Sequence, residues 1–218
     1  MPELVSIPIA IVEIVIEYAN PSMKLLVDRA KVVDQLFRVF KQWDIKVDDV
    51  EVLQEGKPSE QGVKFKLPLK RTSFFFGAAS CKLIRDDAGW DTAEETTEIL
   101  NAGWKTLVEI GAVEAGTLKT AIALHLQPKT LPFIELLRPL SPAPFTTLDS
   151  TSIKALAAIV KWDKRRLTVD GSAQVANGLF IRMEREFEGT ATFIEVAQQL
   201  KRDEDQIFAL IGVEEELP

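Results

Sequence analysis

The chain has 218 residues, 46 % of them hydrophobic, enough for one large domain or two small ones with a substantial core. Its net charge of -7 argues against a general nucleic-acid or acidic-membrane binder. A single cysteine, Cys81, excludes an intrachain disulfide and a cysteine-based zinc site, and a single histidine, His125, excludes an HExxH zinc centre.

The opening MPELVSIPIAIVEIVIEY is apolar, but it lacks a basic leader, carries Glu3 and Glu13 and has no small-residue cleavage pattern, so it does not read as a signal peptide. No run reaches the length of about 20 apolar residues that a spanning helix needs, and the expectation is a soluble, cytoplasmic protein. From Ile9 to Tyr18 the residues Ala10, Val12, Ile14, Ile16 and Tyr18 share one face, which predicts a strand. Asn20-Pro21-Ser22 ends it and opens a helix. Its predicted inward stripe is Leu26, Ala30, Val33, Phe37 and Phe40, and it ends near Trp43-Asp44. A short strand follows from Val47 to Leu53, then a polar turn over Glu55-Gly56-Lys57-Pro58-Ser59. Val63, Phe65, Leu67 and Leu69 alternate with Lys64, Lys66 and Lys70, and Pro68 marks that strand as an edge or a bulge.

Ser73 to Ile84, SFFFGAASCKLI, has no charge before Lys82 and predicts one central strand buried on both faces. Phe75 and Phe76 point to opposite faces and are both expected in the core, and Cys81 reads as a small buried hydrophobe. After a turn at Asp86-Asp87-Ala88-Gly89, Asp91 to Glu94 has capping-box spacing. The helix it opens presents Ala93, Thr97, Leu100, Trp104 and Leu107, and Gly111 is its expected C-cap. Gly103 inside it costs about 1 kcal/mol against Ala, a cost that close packing on a strand would explain. Leu118 to Gln127 alternates as a further strand. The predicted class is α+β, with antiparallel-rich sheets and packed helices. Residues 1–128 are expected in a ferredoxin-like βαββαβ order, with or without one extra strand.

Prolines 128, 132, 139, 142 and 144 mark residues 129–150 as a connecting segment. Its apolar stretch Phe133 to Leu137 predicts one helical turn packed across the body. Residues 151–218 read as strands followed by a helix, either one continuous domain with the first half or a second one. Ile153 to Trp162 is a second two-sided apolar strand, and Asp170-Gly171 and Asn177-Gly178 are hairpin signals. Leu179 to Phe187 alternates, Thr192 to Glu195 is a capping box, and the last helix turns Phe193, Leu200, Ile207, Phe208 and Ile211 to one side, with Val196 or Ala197.

Pro8-Ile9-Ala10-Ile11-Val12-Glu13, with Glu17 four residues on, resembles the first strand of a sporadically distributed bacterial family of uncharacterised α+β proteins of unknown function. The closing strand Leu179 to Phe187, then a helix ending around Ile207-Phe208, is similar to that family's end. The family favours acidic residues in its last strand, where this chain has Phe180 and Arg182. The resemblance implies no activity and no site.

The chemistry-bearing residues read as structural. His125 falls opposite Leu124 and Leu126, among Lys119, Ala121, Ala123 and Gln127, and no local motif marks a nucleophile for it. The carboxylates Asp44, Asp48, Asp49 and Glu51, the pair Asp86-Asp87, and Asp203, Glu204 and Asp205 lack calcium-loop spacing and read as solvated turns and caps. No glycine-rich phosphate loop occurs. Arg71 to Ala78 compares with an RNA-stacking strand but lacks the glycine after the basic residue, and its aromatics do not share one open face. Lys164-Arg165-Arg166 reads as a solvated hairpin end. No catalytic, cofactor-binding or metal residue and no cofactor is predicted. Strong core signals without a converging polar set point to a non-catalytic interaction or structural protein. Its expected partner is a second copy or another protein, with neither nucleic acid nor membrane. The alternative is a small-molecule binder or enzyme with a pocket near the proline-rich segment.

Overall fold

The computed structural model describes residues 2–54, 61–140 and 157–216. In chain order its elements are β1 (Glu3–Tyr18), α1 (Met23–Val27), α2 (Arg29–Phe40), β2 (Val50–Leu53), β3 (Gly62–Leu67), β4 (Thr72–Gly77) and β5 (Ser80–Asp86). They continue with α3 (Ala93–Gly111), β6 (Ala115–Pro128), α4 (Phe133–Leu137), β7 (Ala158–Trp162), β8 (Arg165–Gly171), β9 (Leu179–Glu188), α5 (Phe193–Ile211) and β10 (Val213–Glu215). The class is α+β. The strands are hydrogen-bonded in the order β2-β3-β4-β5-β1-β6-β9-β8-β7, and β10 pairs in parallel with β1. Two compact units form: an aromatic unit of Val12–Thr120 with Glu186–Val196, and a terminal unit of Met1–Ile11, Ala121–Arg185 and Ala197–Pro218. β1, β6, β9 and α5 contribute residues to both.

In the aromatic unit β2, β3, β4 and β5 form an antiparallel meander between α2 and α3. The ferredoxin-like order expected for residues 1–128 is therefore not shown: four strands lie between the helices. SFFFGAASCKLI is a hairpin and not a single strand, because Ala78-Ala79 turns the chain between β4 and β5. Phe74 and Phe76 are fully buried, but Phe75 is half-buried, paired across the ladder with Lys64 and Lys82. Its ring lies over Gly62 and Gly77, so close that a Cβ on Gly62 would meet ring carbons at 2.8 Å. The aromatic thus covers strand that two glycines leave bare. Pro68 begins a 3-10 turn after β3, which is an interior strand and not an edge.

Asp28 breaks the first predicted helix into α1 and α2. Its buried residues are Leu25, Val32, Leu36 and Phe40: Phe40 is where expected, and the other three stand one residue before Leu26, Val33 and Phe37. Leu25-Leu26, Val32-Val33 and Leu36-Phe37 are apolar doublets, so the pattern permits either register. Phe40 meets Phe65 and Phe74 edge-on at ring separations of 5.5 and 5.3 Å. The N-cap of α3 is Thr92 and not Asp91, and Ala112 (φ 49°) takes the left-handed C-cap position expected of Gly111. Gly103 has the reason anticipated: a Cβ there would lie 2.6 Å from the Phe74 ring. Cys81 is fully buried, as expected.

In the terminal unit β7, β8 and β9 form a second antiparallel meander. Leu167, Val169, Ile181 and Met183 are buried, as are Leu200, Ile207 and Ile211 of α5, and Ile207 lies beside Leu167, Ile181 and Met183. The expected turn Phe133 to Leu137 is α4, with Ile134, Leu136 and Leu137 buried. β7 corrects another expectation: the strand is exposed, with Ile159 at 58 % and Val160 at 44 %, and among the described residues only β8 flanks it. The expected turn at Glu55 to Ser59, and the part of the Ile153 strand before Ala157, lie outside the described residues. The Asp170-Gly171 signal falls at the end of β8, and the β7–β8 turn is Asp163-Lys164, with Asp163 at φ 47°.

Candidate interaction site

The strongest concentration of charge inside the terminal unit is on α5. Asp203 is 3 % exposed and accepts from Arg185 Nε at 2.6 Å, from a second Arg185 nitrogen and from Gln199 Nε2 at 3.1 Å. Arg165 Nη1 stands 4.0 Å away, and its guanidinium lies 6.0 Å from the centroid of the Trp162 ring. Glu204 is also buried and accepts from Lys201 Nζ at 3.2 Å. Burial would lower the Lys201 pKa, but its bonds to Asp205 and Glu204 outweigh that and raise it. Asp203 and Glu204 were expected in solvent and are not. The α-helical spacing that turns Leu200, Ile207 and Ile211 inward carries residues 203 and 204 inward too. A buried carboxylate persists only with its charge met, and Arg185 meets it with a two-pronged contact.

Beside this network lies a half-open cleft of about 360 Å³. Trp162, Leu167, Met183, Ile207 and Leu210 supply its apolar wall, and Asp203 and Gln206 its polar atoms. Leu210, 54 % exposed, lines the cleft as well. The Asp203 oxygens are already engaged, so the cleft offers apolar surface and no free acid or base.

His125 is 7 % exposed, not on an open polar face. Its Nδ1 is 2.7 Å from Ser172 Oγ, and its ring is 5.0 Å from that of Phe180. Ser172 Oγ already accepts from the amides of Gln174 and Val175, at 3.1 and 2.9 Å, so its proton goes to Nδ1. That leaves a neutral imidazole with its own proton on Nε2, and burial lowers its pKa in keeping with this. The serine ties the β8–β9 connection to β6. No motif around Ser172 announces the contact; only the fold brings residues 125 and 172 together.

The other expected acidic groups stay in turns and pairs: Asp49 caps Lys46 N at 2.8 Å, and Glu51 pairs with Lys66. Glu3 was not singled out, yet its carboxylate accepts from Thr130 N and Oγ1 at 2.6 Å each and from Leu131 N at 3.1 Å. The Thr130 hydroxyl and amide hold its pKa below the usual value. In the aromatic unit a cleft of about 340 Å³ is lined by Trp104, Phe193, Asn101, Thr97 and Leu118. Elsewhere in that unit the Tyr18 hydroxyl and the Cys81 thiol are both held from ionising, chiefly by burial. Phe74 and Phe76 are closed to any base, which removes the stacking platform an RNA strand needs. Among the described residues no group of three or more His, Cys, Asp or Glu is arranged to hold a metal, and no helix is long and apolar enough to cross a membrane.

No family model and no curated protein matches the chain. The resemblance drawn from its opening strand and closing elements thus gains no support from a family model. Among solved structures, the regulatory subunit of aspartate kinase from Thermus flavus is similar over 91 % of this chain and 96 % of that one, at 12 % identity and a TM-score of 0.21. A TM-score that low carries no argument about fold or activity.

Proposed function

We propose that this chain is a non-catalytic protein-interaction or structural protein that self-associates as a homodimer. The observation that supports this reading is exposed apolar surface in the terminal unit: Ile159 and Val160 stand 58 and 44 % exposed on β7, which has one strand neighbour among the described residues, and Leu210, 54 % exposed, lines the apolar cleft. Exposed apolar surface favours association with another chain, and symmetric dimers are the commonest soluble oligomers. The chemistry of the interior agrees. Its polar centres, Asp203 with Arg185 and His125 with Ser172, have their hydrogen-bonding capacity turned inward on one another. The acidic net charge favours a protein partner over nucleic acid, and a lone cysteine suits the cytoplasm.

Light scattering over a micromolar dilution series tests the reading. The expected mass is twice the 24.3 kDa of one chain at the concentrated end. A monomer mass at every concentration overturns it.

A further inference from the structure

We propose that His125 and Ser172 form a pH-sensitive latch: the neutral imidazole fastens the β8–β9 loop, residues 172–178, to β6, and protonation of the imidazole releases the first turn of that loop. The latch does not depend on the self-association reading. It rests on a count of donors and lone pairs at one atom. Ser172 Oγ lies 2.7 Å from His125 Nδ1 and accepts from Gln174 N at 3.1 Å and Val175 N at 2.9 Å. A serine hydroxyl has one proton and two lone pairs. The two amides take the lone pairs and Nδ1 takes the proton. Every site on the oxygen is then used, as long as Nδ1 is an acceptor.

Protonation turns Nδ1 into a donor. Three N–H groups then face two lone pairs, and the serine proton has lost its acceptor. A charged donor makes the stronger bond, so an amide is the group displaced. The displaced amide belongs to the turn that seats the loop. Ser172 N donates to Gly178 O at 2.8 Å, and Gly178 N to Val175 O at 2.9 Å. A Cβ on Gly178 would stand 2.9 Å from the Leu126 carbonyl oxygen and 2.7 Å from the Val175 side chain. Freeing the Val175 amide therefore loosens the turn that carries Gly178 onto β6. The opening is local, because the β8–β9 ladder ends at Gly171 opposite Leu179, and Ala173, Gln174, Ala176 and Asn177 are exposed.

The charged groups around the imidazole are engaged elsewhere. The loop itself has no ionisable side chain. On β8, Asp170 stands opposite Phe180, whose ring is 5.0 Å from the imidazole, and Asp170 Oδ1 accepts from the Gly171 amide at 2.6 Å. On β9, Arg182 follows on the face of Phe180 and donates to Glu184 at 2.9 Å. On β6, Lys119 pairs with Glu17. β1 contributes Glu3 to this unit, held by Thr130 and Leu131. α5 lies on the opposite face of β6, against Ile122 and Leu124. Burial is what lowers the His125 pKa, so the ring is neutral at pH 7 and charges on acidification below its ordinary 6.5.

His125 is the one histidine of the chain, so its ring nitrogens can be followed by NMR without ambiguity. The test follows them in the full chain between about pH 8 and pH 5, together with amide hydrogen exchange corrected for its intrinsic rate. At pH 8 the ring proton is expected on Nε2. As the ring titrates, Gln174 and Val175 should lose protection by about fivefold or more, with the midpoint of the ring, while the β8–β9 ladder keeps its own. His125→Asn places an acceptor that does not titrate near the position of Nδ1 and should keep both amides protected across the range. Ser172→Ala should leave them unprotected at both ends, with no step between. A proton on Nδ1 at pH 8, a ring that stays neutral down to pH 5, or protection unchanged through its titration overturns the latch. So does a loss that persists in His125→Asn, a step that survives in Ser172→Ala, or a loss shared by the whole ladder. Should His125→Asn not fold, Ser172→Ala decides.

Discussion

In the aromatic unit, Phe40, Phe65, Phe74 and Phe76 are fully buried and pack ring against ring, with α3 brought close enough by Gly103 to touch Phe74. In the terminal unit, α5 also buries Leu200, Ile207 and Ile211, but it fixes its position with a carboxylate, Asp203, gripped by Arg185. The first arrangement is stabilised by apolar area and shape and tolerates no added volume. The second sets desolvation of two charges against their attraction, which leaves little net stability but a large penalty for removing either partner alone. One region therefore depends on size and the other on pairing.

The largest effects separate the two. Phe74→Ala and Asp203→Ala should each cost about 3–5 kcal/mol in chemical denaturation, the one by opening a cavity and the other by removing the buried carboxylate that Arg185 and Gln199 donate to. They part on rescue: Asp203→Leu combined with Arg185→Met should recover most of the loss, since an apolar pair of similar volume replaces a buried ion pair at little cost. No polar partner of Phe74 exists to be removed with it. A recovery of less than about 1 kcal/mol in the double variant would show that Asp203 contributes more than its pairing.

Overpacking comes next. Gly103→Ala gains helix propensity but drives a methyl into the Phe74 ring, and a net loss of about 1–3 kcal/mol is expected. Pairing it with Phe74→Leu should reduce that loss if the ring is the cause. Melting of the single and double variants measures both. Thr192→Ala removes the cap of α5, in which Glu195 N donates to Thr192 Oγ1 at 3.2 Å and Thr192 N to Glu195 at 2.8 Å. A loss of about 0.5–2 kcal/mol should follow, readable from thermal unfolding.

That cap was legible in the sequence because a capping box is a local pattern, complete within Thr192 to Glu195. The α+β class, the final helix, the turn at Phe133 and the tight approach at Gly103 were legible for similar reasons. The missed features depend on distant partners. The two alanines that turn a hairpin inside SFFFGAASCKLI are not turn formers, and the single Gly77 before them reads equally as a strand glycine, so one strand was expected where two form. Asp203 looked like part of a solvated run because Arg185, its partner, lies 18 residues away on β9. The exposed face of β7 could not be read from Ile159 and Val160, whose apolar character predicts burial wherever a neighbour exists. Only the strand order gives β7 a single neighbour, β8, among the described residues.

The smallest expected effect is a pH dependence. Burial lowers the His125 pKa below its ordinary 6.5, so the unfolded chain takes up that proton at a higher pH than the folded one. Stability should fall as pH drops below about 6.5 towards the folded value, and His125→Gln should flatten that slope. Glu95, held low first by its bond to Lys70 and then by Arg85, acts in a separate window. Its contribution is present above its unfolded value of 4.5 and is lost as pH falls below that. Denaturant midpoints between pH 4 and 8 for wild type and His125→Gln distinguish the two.

Hydrogen exchange at β7, followed against protein concentration, tests the self-association account most directly. The amides of β8, which lies between β7 and β9, should be protected throughout. Those of Ala158–Trp162 should exchange more slowly at high concentration than on dilution into the monomer range. Exchange at β7 that does not change with concentration, beside a protected β8, would contradict association through this surface.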